Sequence, residues 1–422
     1  MPRFAYTLLL YLLLPRVLWH LLWRARKQPA YLKNIPQRFG FYKGKEKTRD
    51  KVRQPLIWVH AVSVGETRAA APLIHALQKK YPGHRILLTY MTPTGSETAE
   101  ALYGEGVLRC YLPYDYPGAV ARFLEHFQPQ AGLLMETEIW ANLIHGCHQR
   151  GIPLYLVNAR LSQQSYLRYA RFAGLTRASL RELAMVAAQT AEDAQRMTAL
   201  GAEKVTVTGN LKFDFEPPAG QIELGKTWRS SLYGSGRPVL LAASTRDGEE
   251  ALLLDELSRA APSTLLTVIV PRHPQRFDAV AAMLESRSIR YQRRSAGGAV
   301  APDTRVVLGD SMGEMFAYYA ACDIAFIGGS LLPFGGQNLI EACAAGKPVL
   351  VGPHTYNFSE VAEQAVACGA ALRVADAQTL VLEARRLLGT PQTRAGMSEA
   401  AVKFAIEHRG ATVRTLELLR FQ

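Results

Sequence analysis

Gly328 to Phe358, GGSLLPFGGQNLIEACAAGKPVLVGPHTYNF, follows directly on the apolar run Ile324-Ala325-Phe326-Ile327. It passes through two glycine pairs, Gly328-Gly329 and Gly335-Gly336, into a short helical pattern carrying Glu341. A second apolar run, Pro348-Val349-Leu350-Val351, comes next. The order is strand, glycine-rich loop, helix, strand. Glycine lets backbone N–H groups come close to a ligand, and a helix start offers unpaired N–H donors at the positive end of its dipole. That suits a phosphate, and a carboxylate one turn into the helix, Glu341, suits a ribose diol. One glycine pair alone would read as a tight turn. Two pairs with Asn338 and Glu341 immediately downstream read as a nucleotide site at the C-terminal end of a parallel strand.

The same alternation extends in both directions. Apolar runs predict strands at Leu56–Ala61, Arg85–Tyr90, Val107–Leu112, Ala131–Met135, Leu154–Val157, Met185–Ala188 and Lys204–Thr208, with helical patterns between them such as Arg68–Lys80 and Glu138–Arg150. Strands resume at Val239–Ala243, Leu265–Val270, Arg305–Leu308, Ile324–Ile327 and Val349–Val351. Near-continuous apolar strands separated by helices indicate parallel sheets covered on both faces. The break between them, residues 213–237, gathers Pro217-Pro218, Gly220, Gly225, Gly234 and Gly236 and reads as a linker. The expected organisation is α/β: two doubly wound, Rossmann-like domains, 28–212 and 238–422, facing a cleft. The last helical stretch, Gln392 to Leu419, lacks a strand partner and is a candidate to cross back to the first domain.

At 422 residues the chain is long enough for two or three domains at about 100–200 residues each. Five scattered cysteines, none spaced CxxC, support neither a disulfide framework nor a zinc site. The net charge of +13 is concentrated: residues 1–53 hold 13 Lys/Arg against Glu46 and Asp50, a net +11, which leaves +2 for the remainder. A basic N-terminal segment on nearly neutral domains points to an anionic membrane surface and away from nucleic acid. The segment Phe4–Trp23, FAYTLLLYLLLPRVLWHLLW, is apolar with interfacial aromatics and is followed by Arg24-Ala25-Arg26-Lys27. Residues 1–27 are therefore expected to anchor the protein, either spanning the bilayer or lying in its cytoplasmic leaflet with Arg16 snorkelling.

Several loops could carry chemistry. In His60-Ala61-Val62-Ser63-Val64-Gly65-Glu66 a strand turns into a helix and exposes Glu66, either as a general base or as a first-turn glutamate complementing the helix dipole. His60 and Ser63 suggest a nucleophile–base pair without a companion acid. Pro271-Arg272 ends a strand, and the planar guanidinium of Arg272 suits a phosphate. Asp310-Ser311-Met312-Gly313-Glu314 follows another strand. Loops after the strands ending near 270, 308 and 327 would converge on one crevice. Glu136 and Glu138 form an acidic pair that could bind a metal or favour a helix start, and no Asp-x-Asp pair occurs in the chain. After Asn158-Ala159-Arg160, the arginines 168, 171, 177 and 181 are interleaved with Leu167, Tyr169, Phe172 and Leu175, a face suited to an acidic lipid or simply to solvent.

Taken together, WVHAVSVGET, LPYD, METEIW, NARLS, GNLKFD, PRHPQRF, GDSMGE and GGSLLPFGGQN through GPHTYNF resemble the 3-deoxy-D-manno-octulosonic acid (Kdo) transferases of bacterial lipopolysaccharide assembly over nearly the whole chain. The resemblance implies a GT-B fold and inverting transfer of Kdo from CMP-Kdo to lipid IVA at the cytoplasmic side of the inner membrane, without a metal or other cofactor. It implies Glu66 as catalytic base. The CMP contacts it implies are Pro271 and Arg272, then Met312, Gly313 and Glu314, then Asn338, Leu339, Ile340 and Glu341. Many members carry an acid where this chain has Gln37. A sugar-nucleotide epimerase of similar fold, or a membrane-tethered nucleotide-binding protein without activity, are the competing readings.

Overall fold

The structure, a computed structural model, describes residues 1–42, 54–214, 216–234, 236–260, 262 and 264–421. Part of the basic flank, residues 43–53, lies outside them. The chain divides into two units, one of Met1–Phe215 with His408–Gln422 and one of Glu216–Glu407.

The first unit holds β1 (Leu56–His60), β2 (Arg85–Tyr90), β3 (Leu108–Tyr111), β4 (Ala131–Met135), β5 (Leu154–Ala159), β6 (Met185–Ala188) and β7 (Val205–Val207). They form a fully parallel sheet in the order β3-β2-β1-β4-β5-β6-β7. Every residue of β1, β4 and β5 is buried, as expected of strands covered on both faces. Trp58 is accommodated because Gly132 lies beside it on β4, where a Cβ would come within 2.6 Å of the indole. Its ring N–H is satisfied by Thr89 Oγ1 at 2.7 Å. Because the chain lays β2 and β3 on one side of β1 and then returns to place β4 on the other, the strand order reverses between β1 and β4. The loops leaving those two strands are where an open α/β sheet leaves a crevice.

Helix α1 (Arg3–Lys27) belongs to this unit and bends by 50° between its halves. Pro15 explains the bend, since it removes one N–H and crowds the carbonyl four residues back. No single helix among the described residues is long and apolar enough to cross a membrane, although the bent pair qualifies by length and composition. One side of α1 is fastened to the body: the Tyr6 hydroxyl donates to Asp115 Oδ2 at 2.9 Å, and the Tyr116 hydroxyl donates to the Leu10 carbonyl at 3.1 Å. The other side leaves Phe4, Leu8, Leu12, Trp19 and Leu22 exposed.

The second unit repeats the plan with β8 (Val239–Thr245), β9 (Leu266–Pro271), β10 (Tyr291–Arg293), β11 (Val306–Leu308), β12 (Ile324–Ile327), β13 (Val349–Val351) and β14 (Ala371–Arg373), parallel in the order β10-β11-β9-β8-β12-β13-β14. Its reversal falls between β8 and β12. The edge strands β10 and β14 were not expected from the sequence because Tyr291-Gln292-Arg293 and Ala371-Leu372-Arg373 carry polar residues and do not form a continuous apolar run.

One sequence expectation needs correction. Residues 213–237 are largely not a linker: Ala219–Thr227 is a helix, continued by a wide turn through Trp228–Leu232. The helix packs on Met315–Ala321, and a Cβ on Gly225 would lie 2.3 Å from the Ala317 carbonyl oxygen. Gly225 is thus a close-packing residue that resembles loop punctuation in sequence. The stretch Gln392–Leu419 is two helices, Pro391–Glu407 and Ala411–Leu418, parted at Gly410 (φ 90°). The first belongs to the second unit and the second to the first unit, where Lys80 Nζ donates to the Leu416 carbonyl at 3.1 Å.

Candidate active site

In the first unit the chain leaves β1 through Ala61-Val62-Ser63 and enters α2 (Val64–Ala69). Ser63 caps the helix. Glu66 folds back over it, with Oε2 accepting the Val62 N–H at 2.7 Å and Oε1 accepting the Ser63 hydroxyl at 3.1 Å. This resembles a capping box, so the structural reading of a first-turn glutamate holds. Glu66 nevertheless stands at the β1–β4 reversal, and its pKa is raised to about 7. Burial is the main cause, the carboxylates of Glu136 and Glu138 push the same way, and the Val62 N–H and Ser63 hydroxyl pull back. A carboxylate tuned to neutral pH at a crevice is suited to proton abstraction.

The facing loop after β4 supplies the two acids. Glu136 sits in a left-handed conformation (φ 58°) and pairs with Lys212 Nζ at 2.9 Å. Glu138 Oε2 accepts the Trp140 ring N–H at 2.5 Å, and burial raises its pKa. Both precede the helix Ala141–His148, so they are not dipole-compensating residues of its first turn. Among the described residues no three His, Cys, Asp or Glu side chains gather as a metal site. His60 and Ser63 do not form a dyad: His60 is fully buried, with Nδ1 2.9 Å from Thr89 Oγ1, and burial lowers its pKa to about 3, while Ser63 is engaged with Glu66.

In the second unit the expected donor residues all lie at the C-terminal edge of the sheet. Pro271 is the buried end of β9. Arg272 follows, and its Nε donates to Gln337 Oε1 at 3.1 Å, joining the β9 loop to the loop after β12. Asn338 donates to Glu341 Oε1 at 3.3 Å at the start of the helix Ile340–Ala344. Leu339 and Ile340 have side chains buried in the core, so only their backbone is available to a ligand. Met312 is exposed and Gly313 has φ 80°. Glu314 accepts from Arg294 Nη2 at 3.2 Å and from Ser311. The turn after β11 and the loop after β12 stand three strand spacings apart, about 14 Å, so the structure gathers these residues along one edge without placing them in mutual contact.

The loop after β8, Thr245–Gly248, was missed by the sequence reading, although it lies at the reversal. Ser244 is left-handed (φ 57°) at a bulge between β8 and β9. Glu249, 1% exposed, accepts three backbone N–H groups: Arg246 at 2.9 Å and Gly329 at 2.6 Å on Oε2, and Leu331 at 2.9 Å on Oε1. It thereby holds the first glycine pair in shape. Gly328 is packed under the β8 end, where a Cβ would lie 2.5 Å from the Ser244 carbonyl oxygen. The only sequence signal was the acidic pair Glu249-Glu250 following a strand and a glycine.

Two doubly wound units, each a fully parallel seven-stranded sheet with its strand order reversed at the centre, have the architecture of the GT-B glycosyltransferases. Residues 33–215 match the family described as 3-Deoxy-D-manno-octulosonic-acid transferase (kdotransferase), and residues 290–404 match glycosyl transferases group 1. The chain belongs to the 3-deoxy-D-manno-octulosonic acid transferase family: it is 46% identical to a transferase of that name from Bordetella pertussis over 99% of both chains. It is 38% identical to one from Haemophilus influenzae over 100% of this chain and 98% of that one. A crystal structure of a glycosyltransferase from Rickettsia africae shares the fold, with a TM-score of 0.58 at 15% identity, covering 87% of this chain and 98% of that one.

Proposed function

We propose that the chain transfers Kdo from CMP-Kdo to lipid IVA at the cytoplasmic face of the inner membrane, in lipopolysaccharide core synthesis. The observation that carries this reading is Glu66: a half-buried carboxyl tuned to neutral pH at the strand reversal of the first unit. In the proposed step Glu66 takes the proton of an acceptor sugar hydroxyl. The oxygen bonds to Kdo C2 from the face opposite CMP, and the C2–O bond to the phosphate breaks, with its electron pair leaving on CMP and the configuration inverting. Arg272 and the N–H groups of the loop after β12 would stabilise the departing phosphate by preorganised charge and dipoles, with no resident metal. The exposed stripe of α1, together with exposed Leu167 and Phe172, supports a helix lying in the bilayer interface. The anionic lipids of the inner membrane are its proposed partners.

Incubation with CMP-Kdo and detergent-dispersed lipid IVA is expected to give lipid heavier by whole Kdo residues, with free CMP, by mass spectrometry. Hydrolysis of CMP-Kdo with no sugar on lipid would overturn the reading. The base must be ionised, so kcat/KM should rise with pH through a midpoint near 7, the value to which burial raises Glu66. A flat profile from pH 5.5 to 8.5 would remove Glu66 from the mechanism. Turnover should persist in excess EDTA; abolition restored by a divalent ion would reject metal-free departure of CMP.

A further inference from the structure

Thr245 and Pro271 are register partners at the ends of β8 and β9, and the Arg272 N–H donates to the Thr245 carbonyl at 3.0 Å. Arg246 and Arg272 therefore leave neighbouring strands side by side, about 5 Å apart. Both are half-buried. The loop after β12 closes on them. Gln337 Oε1 accepts from Arg272, and the Arg246 guanidinium lies 4.9 Å from the centre of the Phe334 ring. A Cβ on Gly329 would come within 3.3 Å of both Arg246 Cγ and Gln337 Nε2, so this glycine (φ 70°) makes room for the two side chains. Arg246 Nη1 also stands 3.1 Å from His273 Nε2. A guanidinium can only donate, so the imidazole accepts there and is neutral. Burial, then the charges of Arg246, Arg272 and Arg276, lower its pKa accordingly. The acids of this loop are committed elsewhere: Glu249 to three backbone N–H groups, Asp247 and Glu250 to Arg276. Among the described residues Arg246 forms no ion pair. Departure of the phosphate uses Arg272 and leaves this second cation without a role.

Kdo is a sugar acid, and C2, which carries the phosphate of CMP, also carries the C1 carboxylate. The donor thus presents two anions one carbon apart, and the unit presents two guanidinium groups one strand apart. We propose that Arg246 binds the donor's carboxylate beside the phosphate held by Arg272, with Phe334 and His273 fixing the guanidinium for a planar, charge-assisted pair. Arg246 is then a specificity-determining residue that selects a nucleotide-linked sugar acid over a neutral sugar. This rests on the reading that CMP-Kdo is the donor.

The test is equilibrium titration of the full chain, with acceptor omitted, by CMP-Kdo, its C1 methyl ester and CMP. The wild type should bind the acid about tenfold or more tighter than the ester, the scale of one charged hydrogen-bonded pair. Arg246→Gln should bring acid and ester within about threefold by weakening the acid alone, and Arg246→Lys should keep part of the preference because it retains the charge without the fork. A wild type that does not discriminate, or a preference unchanged in Arg246→Gln, overturns the proposal. An equal loss for acid, ester and CMP also overturns it, by assigning Arg246 to the phosphate. Should Arg246→Gln fail to fold, exposed His273→Ala, which removes the anchor of the guanidinium, should lower the preference about threefold; no change overturns the proposal. Kdo transfer measured in parallel separates the two readings. An acid preference that depends on Arg246, without transfer, overturns the enzymatic reading alone, and transfer with no such preference overturns only the carboxylate site.

Discussion

Glu66→Gln is expected to lower kcat by roughly 10²–10⁴-fold, the usual range for loss of a positioned base, with CMP binding unchanged. Glutamine is the informative replacement because its carbonyl oxygen can still accept the Val62 N–H that Glu66 Oε2 takes at 2.7 Å. The helix cap then survives while the proton acceptor is lost, whereas alanine would remove both. Single-turnover transfer with saturating donor, alongside calorimetric titration with CMP, separates chemistry from donor binding. Turnover within threefold of wild type would leave Glu66 a capping residue only. The same variant has a stability signature of determinate sign. The folded pKa of Glu66 is raised from 4.5 to about 7, so its contribution is fully present below the unfolded value and is lost as pH rises through 7. The wild-type Tm should therefore fall relative to Glu66→Gln between pH 5 and pH 8.

The sequence was most informative where packing and local chemistry agree. The strands β1, β4 and β5 are buried along their whole length, and that redundancy made them visible as continuous runs. The glycine pairs marked the loop after β12 because closely packed backbone leaves little room for a Cβ, as Gly328 under Ser244 illustrates. Misreadings arose where one residue type serves two purposes. Gly225 permits a helix contact but reads as a loop glycine. Glu249 is buried to organise backbone donors from residues about eighty positions away, and nothing local distinguishes it from a surface glutamate. Arg38 is similar: in Pro36-Gln37-Arg38-Phe39-Gly40 it looks like part of a basic flank, yet the fold buries it. Its neighbour Gln37 is likewise taken up by the fold. Its Oε1 accepts the Tyr111 N–H at 3.0 Å, so the amide oxygen supplies an acceptor.

Glu249→Ala should strongly destabilise the second unit. The side chain is 1% exposed and both oxygens are used, so its removal strands the N–H groups of Gly329 and Leu331 in the interior and frees that of Arg246. A buried donor left without an acceptor costs about 1–3 kcal/mol, so a loss of about 2–6 kcal/mol is expected from the two that are stranded. Glutamine is not a conservative rescue here, because its amide nitrogen would face donors where a carboxylate oxygen is required. The loss should also reach the ligand. The turn through Gly328-Gly329-Ser330 is held to the β8 end by this carboxylate, and an anion site depends on N–H groups fixed before the ligand arrives. Affinity for CMP should consequently fall at least tenfold at temperatures where the variant remains folded, as titration calorimetry can measure. Glu223→Ala, which removes an exposed partner of Lys226, serves as the control and should change stability by no more than about 1 kcal/mol. If Glu249→Ala unfolded with wild-type thermodynamics and bound CMP normally, the glycine loop would owe its shape to its own backbone, and Glu249 would be only another buried acid.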